Sequence, residues 1–213
     1  MDEKALNKVQ LRLRVAQNAV SSFANCETYE AFREAWYVFL HAAKGIYTTL
    51  EQGAKKTPQA RQWYGAKDRF RKNDELLRYI TEARNDDEHG IEESTQYVDQ
   101  ETRLGVLAPG HSNEVTFGDG NIITGCGTAV LIVGPPPSDM PQLHALDGKP
   151  VLNINTPAHA RLVNVHDRSG NPYRPPSAHL GAPLIDVSPS AVANLMITYL
   201  ETLVSEAAGF RKP

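Results

Sequence analysis

The sequence predicts an α+β protein, and three observations support this fold class. Residues 1–94 carry apolar side chains at spacings of three and four, which is the helical period. After residue 95, glycine, proline and β-branched residues take over, a pattern that favours short strands and turns. Residues 188–213 return to the helical period. We therefore predict a helical bundle over 1–94, a small, mostly antiparallel β region over 95–187, and a closing helix over 188–213 that packs on either the bundle or the sheet.

The composition is that of a globular protein and excludes several classes. Of the 213 residues, 41% are hydrophobic and 22% are charged, and the formal net charge is -3. This net charge does not argue for nucleic acid or a membrane surface as a partner. Cys26 and Cys126 are far apart, so a disulfide framework is not expected. The sequence has neither a membrane-length apolar run nor the apolar core of a signal peptide, which predicts a cytosolic protein without a membrane partner.

Four N-terminal helices are predicted, over 3–24, 28–52, 58–72 and a segment that begins after Asn73 or Asp74. Thr28 is the expected N-cap of the second helix and Gly53 its expected end. Thr57 followed by Pro58 marks the start of the third. The second helix has the clearest apolar stripe, which we interpret as bundle core, formed by Tyr29, Phe32, Trp36, Phe39, Leu40, Ala43, Ile46, Tyr47 and Leu50.

Turn dipeptides predict the strands of the β region. Residues 115–117 and 122–124 flank Asp119-Gly120, which indicates a hairpin. Residues 142–146 and 151–154 flank Asp147-Gly148, which indicates a second hairpin. Further strands are expected over 128–133 and 161–165, with a turn-rich loop over 168–176. The closing helix is predicted to start at the cap Ser188, with Pro189 in its first turn, and to end at Gly209.

The third helix is a candidate RNA-binding element. Cations interleaved with aromatic rings suit a phosphate backbone and unstacked bases. The alternative is a solvated helix face whose aromatic rings belong to the core. The candidate RNA-binding residues are Trp63, Tyr64, Lys67, Arg69, Arg71 and Lys72.

Arg84, Asn85 and His89 are the candidate catalytic residues. Arg84 falls within the apolar stripe of the fourth helix, where a guanidinium is costly unless a charged or polar group meets it. A histidine can accept and return a proton near neutral pH, and an arginine can stabilise charge on a phosphoryl group. Together they suit metal-independent cleavage of RNA, in which the imidazole takes the proton of a 2′-hydroxyl.

The spacing of Arg84 and His89 raises a geometric question. Five residues place the two side chains about 140° apart around a regular helix, so they converge poorly on one substrate. Either the helix distorts near Gly90, or a second copy of the chain supplies the partner residue. The second solution predicts a homodimer with its site at the two-fold axis.

The segment from Arg84 to His89 resembles the Arg-(four to six residues)-His motif of the HEPN superfamily, in which a polar residue such as Asn85 typically follows the arginine. The resemblance covers about residues 1–93. It implies a bundle of four or five helices, a metal-independent ribonuclease and a composite site in which two motifs meet across a dimer interface. It further implies that Arg84 and His89 are catalytic, that Asn85 supports them, and that no cofactor is needed.

Two other functions remain open at this point. Arg84 could simply pair with Glu88 and His89 could stabilise the end of its helix, in which case the chain would be a non-catalytic, dimeric interaction protein that uses the β region to bind a partner. A hydrolase could instead use histidines of the β region, such as His166 beside Asp167 together with His179. The histidine and cysteine spacings match no zinc motif, so no metal is predicted. The remaining histidines of that region are His111, His144 and His159.

Overall fold

The computed structural model describes residues 1–89, 93–106, 112–116, 122–126, 130–133, 142–145 and 151–210, with the backbone alone for residue 89 and for those between 101 and 155. The contacts divide the chain into two compact units. The first contains residues 1–96 and 160–213, and the second contains residues 97–159. The second unit is thus an excursion of the chain between two parts of the first.

Five helices within the described residues form the framework of the first unit. Their bounds are α1 Glu3–Ser22, α2 Tyr29–Ala54, α3 Pro58–Asn73, α4 Glu75–His89 and α5 Pro189–Ala208. The closing helix α5 packs against α1, α2 and α4, so it joins the bundle. With the antiparallel strand pairs described below, this architecture confirms the predicted α+β class. No helix in the described part of the chain has the length and apolar character needed to span a bilayer.

Side-chain caps fix where the helices begin. The hydroxyl oxygens of Thr28, Thr57 and Ser188 each accept a hydrogen bond from the backbone N–H three residues later, as predicted. At the start of α4 the backbone N–H of Leu77 donates to Asp74 Oδ1 at 3.0 Å, so Asp74 rather than Asn73 is the cap. These caps satisfy amides that lack partners in the first turn.

An aromatic cluster occupies the core between α1 and α2. The ring of Phe39, which is fully buried, lies 5.3 Å from that of Trp36 and 6.3 Å from that of Phe23, measured between centroids. The Trp36 indole N–H donates to Ser94 Oγ at 2.9 Å. The predicted assignment of this stripe to the bundle core is confirmed.

The predicted end of α2 at Gly53 is wrong, because the helix continues to Ala54. Because Gly53 has no side chain, α1 can pack closely against α2 at this position. A Cβ at Gly53 would lie 2.6 Å from Ala5 Cβ and 2.9 Å from Met1 Sδ, while the Gly53 carbonyl accepts from the N–H of Asp2 at 3.3 Å. The start of α1 therefore approaches α2 where α2 has no side chain.

Substitutions at two helical glycines should have opposite effects on stability. Gly53→Ala should lower the free energy of unfolding by about 1–2 kcal/mol, because the new methyl overlaps Ala5. Gly65→Ala in α3 should raise it by about 0.5–1 kcal/mol, because no atom lies within 4 Å of the new methyl and alanine restricts the unfolded chain. Urea unfolding monitored by circular dichroism measures both. Equal effects of the two substitutions would contradict the close approach of α1.

The strands within the described residues are short. Their bounds are β1 Thr95–Val98, β2 Glu101–Val106, β3 Ser112–Thr116, β4 Ile122–Cys126, β5 Val130–Val133, β6 Gln142–Ala145, β7 Val151–Thr156, β8 His159–Leu162, β9 Val165–His166, β10 Pro172–Tyr173, β11 Ala178–His179 and β12 Ala182–Pro183. One three-stranded sheet has the order β5-β2-β7 and another the order β4-β3-β6. The two-stranded pairs are β1 with β8, β9 with β10 and β11 with β12.

One predicted hairpin pairing is confirmed and the other is wrong. Strands β3 and β4 pair antiparallel with Thr116 opposite Ile122, although the predicted turn between them lies outside the described residues. Strand β6 pairs with β3, and β7 pairs with β2, so these two strands lie in different sheets. A turn dipeptide predicts that the chain reverses, but it does not determine which strand becomes the hydrogen-bonded neighbour.

Residues 160–187, which the sequence pattern groups with the β region, belong to the first unit and pack on α4 through β9 and β11. Asp74 makes the main polar connection. Its Oδ1 lies 2.9 Å from Nδ1 of the His179 imidazole, and its Oδ2 accepts a hydrogen bond from the N–H of Leu180 at 2.8 Å. Further along α4, the Tyr79 hydroxyl lies 2.8 Å from the Val163 carbonyl oxygen, to which it donates. The segment is also joined to α4 by Glu75, which accepts from the N–H of Ser177, and by Asp86, which accepts from the N–H of His166.

Candidate active site

A polar face runs along α2 beside its aromatic stripe. It carries His41, Lys44, Thr48 and Glu51, which recur at helical spacing. The Arg84 end of α4 and the second half of α3 lie against this face. We call this contact region the polar seam and define it by those four residues of α2, by Arg84 and Asp87 of α4, and by Tyr64, Asp68, Arg71 and Lys72 of α3.

Arg84 lies at the α4 end of the polar seam and is largely buried, with 19% of its side chain exposed. Its Nη1 forms an ion pair with Glu88 one turn later on α4. Its Nε is buried without a hydrogen-bond partner among the described residues. The sequence placed this guanidinium within an apolar stripe, and Glu88 supplies the charged group that such a position requires.

His41 faces Asp87 across the seam. Its Nε2 lies 4.0 Å from Asp87 Oδ2, which is beyond hydrogen-bond distance, and both atoms are buried without a partner among the described residues. Burial, reinforced by the charge of Arg84, lowers the pKa of His41 below its usual 6.5. Burial also raises the pKa of Asp87. An imidazole with a lowered pKa is neutral at pH 7 and can therefore accept a proton.

Asn85 and His89, the other candidate catalytic residues, lie further along α4. The Asn85 amide donates to Glu82 Oε2 at 3.1 Å on the same helix. The helix runs as α-helix through His89, so Arg84 and the His89 backbone keep their separation of about 140°. Gly90, where a distortion was considered, lies outside the described residues, as does the side chain of His89. The described part of α4 is therefore regular, and a site shared with a second copy of the chain stays a prediction.

The candidate RNA-binding residues divide between two sides of α3. Tyr64, Arg71 and Lys72 line a cavity of about 260 Å³ in the polar seam. Trp63 and Lys67 instead face α5, where both donate to Glu206, at 2.9 Å and 2.8 Å. Trp63 and Lys67 are thus engaged by Glu206, whereas Arg71 is engaged by Asp68. The sixth candidate, Arg69, is exposed to solvent.

The histidines considered for a hydrolase site are held by different acids. His166 Nδ1 lies 3.9 Å from Asp86, while His179 Nδ1 lies 2.9 Å from Asp74. Asp167 accepts from the N–H groups of Ser169 and Asn171 in its own turn. Among the side chains that the structure describes, no three His, Cys, Asp or Glu residues gather as metal ligands. His111 and the side chain of His144 lie outside the part of the chain that the structure describes. His159 Nδ1 lies 2.9 Å from the Pro157 carbonyl oxygen.

His41, Lys44 and Asp87 were not among the residues selected from the sequence. A signal for the first two was present, because His41, Lys44, Thr48 and Glu51 repeat at three and four residues. The aromatic stripe beside it is longer and more regular, so the interpretation of α2 rested on that stripe. Asp87 lies within the motif segment itself, but its position opposite His41 depends on how α4 packs on α2.

The chain matches no model of a known protein family, no curated protein and no solved structure. The polar seam and the resemblance in α4 are therefore the grounds on which a function is proposed.

Proposed function

We propose that the protein is a metal-independent endoribonuclease that acts as a homodimer, with Arg84 and His89 in its site and Asn85 in support. The observation that supports this function best is the placement of Arg84 beside His41. A fixed cation and an imidazole that is neutral at pH 7 are the two groups that the reaction needs. The chain supplies both without a cofactor.

In the proposed reaction an imidazole removes the proton of a 2′-hydroxyl, and the resulting oxygen attacks the adjacent phosphorus. The bond from phosphorus to the 5′-oxygen breaks, and that oxygen receives a proton as it leaves. Arg84 stabilises the negative charge that develops on the phosphoryl oxygens. By resemblance the base is His89, supplied by the second copy of the chain, while His41 is the base that the geometry offers within one copy.

The first test is cleavage of a mixed RNA pool by the purified protein in EDTA. Wild type should cleave, and Arg84→Ala and His89→Ala should each lower the rate at least about 100-fold, because one removes charge stabilisation and the other the base. Arg14→Ala and His159→Ala remove the same side-chain types from exposed positions and should cleave at the wild-type rate. A folded wild type that leaves the RNA intact would contradict the proposal.

The His41→Ala variant identifies the base. If His41 acts as the base within one copy, His41→Ala should lower the cleavage rate as much as His89→Ala is expected to. If His41 only neighbours Arg84, the rate should change by less than about tenfold. Circular dichroism must show the same helix content for each variant, so that a lower cleavage rate cannot result from unfolding.

A mixing experiment tests the composite site. When Arg84→Ala and His89→Ala dimers are exchanged, half of the dimers are mixed, and each mixed dimer has one site with both wild-type residues. Activity should therefore recover to about a quarter of the wild-type value. Recovery that stays at zero, although light scattering shows subunit exchange, would contradict a site shared between copies.

A second candidate function is a non-catalytic interaction protein. A cleft of about 520 Å³ favours it, because Trp36, Tyr37 and Val38 contribute apolar surface and Tyr37 is 50% exposed. Asp87 lies at the same cleft. If Tyr37→Ser abolishes dimer formation or partner capture while no RNA is cleaved, the interaction function replaces the ribonuclease. A role of the β region in binding a protein partner belongs to this second candidate.

A further inference from the structure

The α3 end of the polar seam contains a cavity with an excess of positive charge. The cavity measures about 260 Å³ and is lined by Lys44, Tyr47, Thr48, Glu51, Tyr64, Asp68, Arg71 and Lys72. We call it the Lys44 cavity. Its three cations face two carboxylates. One of these, Asp68, is already engaged, because Arg71 and Lys72 contact its two oxygens at 2.6 Å and 2.7 Å.

Arg71 is held rigidly in the wall of this cavity. It is 9% exposed, and its guanidinium carbon lies 4.9 Å from the centre of the Tyr47 ring. Its Nη1 also donates to Thr81 Oγ1 at 3.3 Å, while its Nε is buried without a partner among the described residues. A guanidinium fixed in this way is already positioned for an anion and loses little conformational entropy when one binds.

Lys44 is half-buried between two other cations. No carboxylate of the described residues lies within ion-pair distance of its ammonium group. Burial, followed by the charges of Arg71 and Arg84, lowers the pKa of Lys44. The empty cavity therefore holds a cation whose charge is unfavourable. An anion that enters between Lys44 and Arg71 offsets this cost, because a nearby negative charge favours the charged form of the lysine.

A second cleft adjoins the Lys44 cavity. It measures about 400 Å³ and shares Glu51, Tyr64 and Asp68 with the first cavity, while Ala54, Lys55, Arg61 and Gly65 complete its lining. Tyr64 thus lies at the boundary between a polar compartment and a larger one. Because Gly65 has no side chain and nothing lies within 4 Å of where one would be, the surface beside Tyr64 is open to a flat group. Both compartments together carry five cations and two carboxylates.

We propose that the Lys44 cavity binds the phosphoryl group of a small phosphate monoester, whose organic part lies along Tyr64 in the adjoining cleft. The terminal group of a monoester carries close to two negative charges, whereas a phosphodiester carries one, and the surplus of three cations over the two compartments together favours the monoester. The volume of the adjoining cleft falls within the range of small-molecule sites. This inference does not depend on the proposed ribonuclease activity, since Arg84 lines neither compartment.

Titration calorimetry of the full chain tests the proposal with four probes: inorganic phosphate, adenosine 5′-monophosphate, adenosine, and an RNA hexanucleotide without terminal phosphates. The monophosphate should bind at least about tenfold more tightly than adenosine. Lys44→Met should lower the affinity for both phosphate and the monophosphate by about tenfold or more. Lys8→Met, at an exposed position of α1, should leave both affinities unchanged. Tyr64→Ser should lower the affinity for the monophosphate but not the affinity for inorganic phosphate.

A second measurement follows Lys44 directly. In protein labelled with carbon-13 at the lysine Cε, the pKa of Lys44 should rise when phosphate is added. Two results would overturn the proposal. One is the absence of binding by both phosphate and the monophosphate at about 10 mM. The other is an RNA hexanucleotide that binds as tightly as the monophosphate and loses affinity in Lys44→Met, which would assign the cavity to a phosphodiester.

Discussion

Phe39→Ala should lower the free energy of unfolding by about 4 kcal/mol. The ring is fully buried and touches both Trp36 and Phe23, so its removal takes away both its own burial and the support of two further rings. The surrounding helices are joined by many other contacts and can collapse only partly into the space. Urea unfolding followed by the fluorescence of Trp36 and Trp63 measures the change.

The neighbouring residue provides the control for Phe39. Val38→Ala alters a side chain that is 41% exposed on the same turn of α2 and should cost less than about 1 kcal/mol. The two substitutions have similar effects on helix propensity, so the difference between them reports burial. A Phe39→Ala variant as stable as Val38→Ala would show that the aromatic cluster does not form as described.

Asp74→Ala should lower the free energy of unfolding by about 3 kcal/mol. The carboxylate is buried and accepts hydrogen bonds from the N–H groups of Leu77 and Leu180 and from the His179 imidazole. Alanine leaves these donors without partners and removes the cap of α4. Glu75→Ala is the matched control, because this adjacent carboxylate accepts from Ser177 at an exposed position, and its loss should cost less than about 1 kcal/mol.

The contribution of Asp74 should depend on pH. Burial acts to raise the pKa of Asp74, but the hydrogen bonds from Leu77, His179 and Leu180 outweigh burial and lower it. A carboxylate with a lowered pKa in the folded state stabilises the fold fully above its unfolded value of about 4. This stabilisation is lost as the pH falls through the folded value. The difference between wild type and Asp74→Ala should therefore be constant from pH 7 to about 5 and shrink below about 4. A difference that grows in acid would contradict this assignment.

The helices could be predicted from the sequence because their signals are local. The caps Thr28, Thr57 and Ser188 act on amides three residues away, and the apolar stripe of α2 is regular over its whole length. Gly53 shows the limit of such signals. A glycine at the end of a periodic segment has the same appearance whether it ends the helix or admits a neighbouring one, and only the position of α1 distinguishes the two.

The candidate site could be predicted only in part, because it depends on contacts between helices. The sequence selected Arg84 and Arg71, which both lie along the polar seam. It could not show that Lys67 and Trp63 turn toward Glu206 of α5, more than a hundred residues later in the chain. The position of His41 opposite Asp87 likewise becomes visible only when α4 is placed against α2.

The route of the chain through the second unit has an entropic consequence for the first. The bundle is completed by residues from 160 onward, so its final contacts close a loop that includes an excursion of about 60 residues. Because the cost of loop closure grows only logarithmically with length, replacing this excursion by a turn of four residues would recover only about 2 kcal/mol. Doubling the excursion would cost the bundle only about 0.6 kcal/mol more. The sequence and length of residues 97–159 can therefore diverge widely while the helices keep their fold.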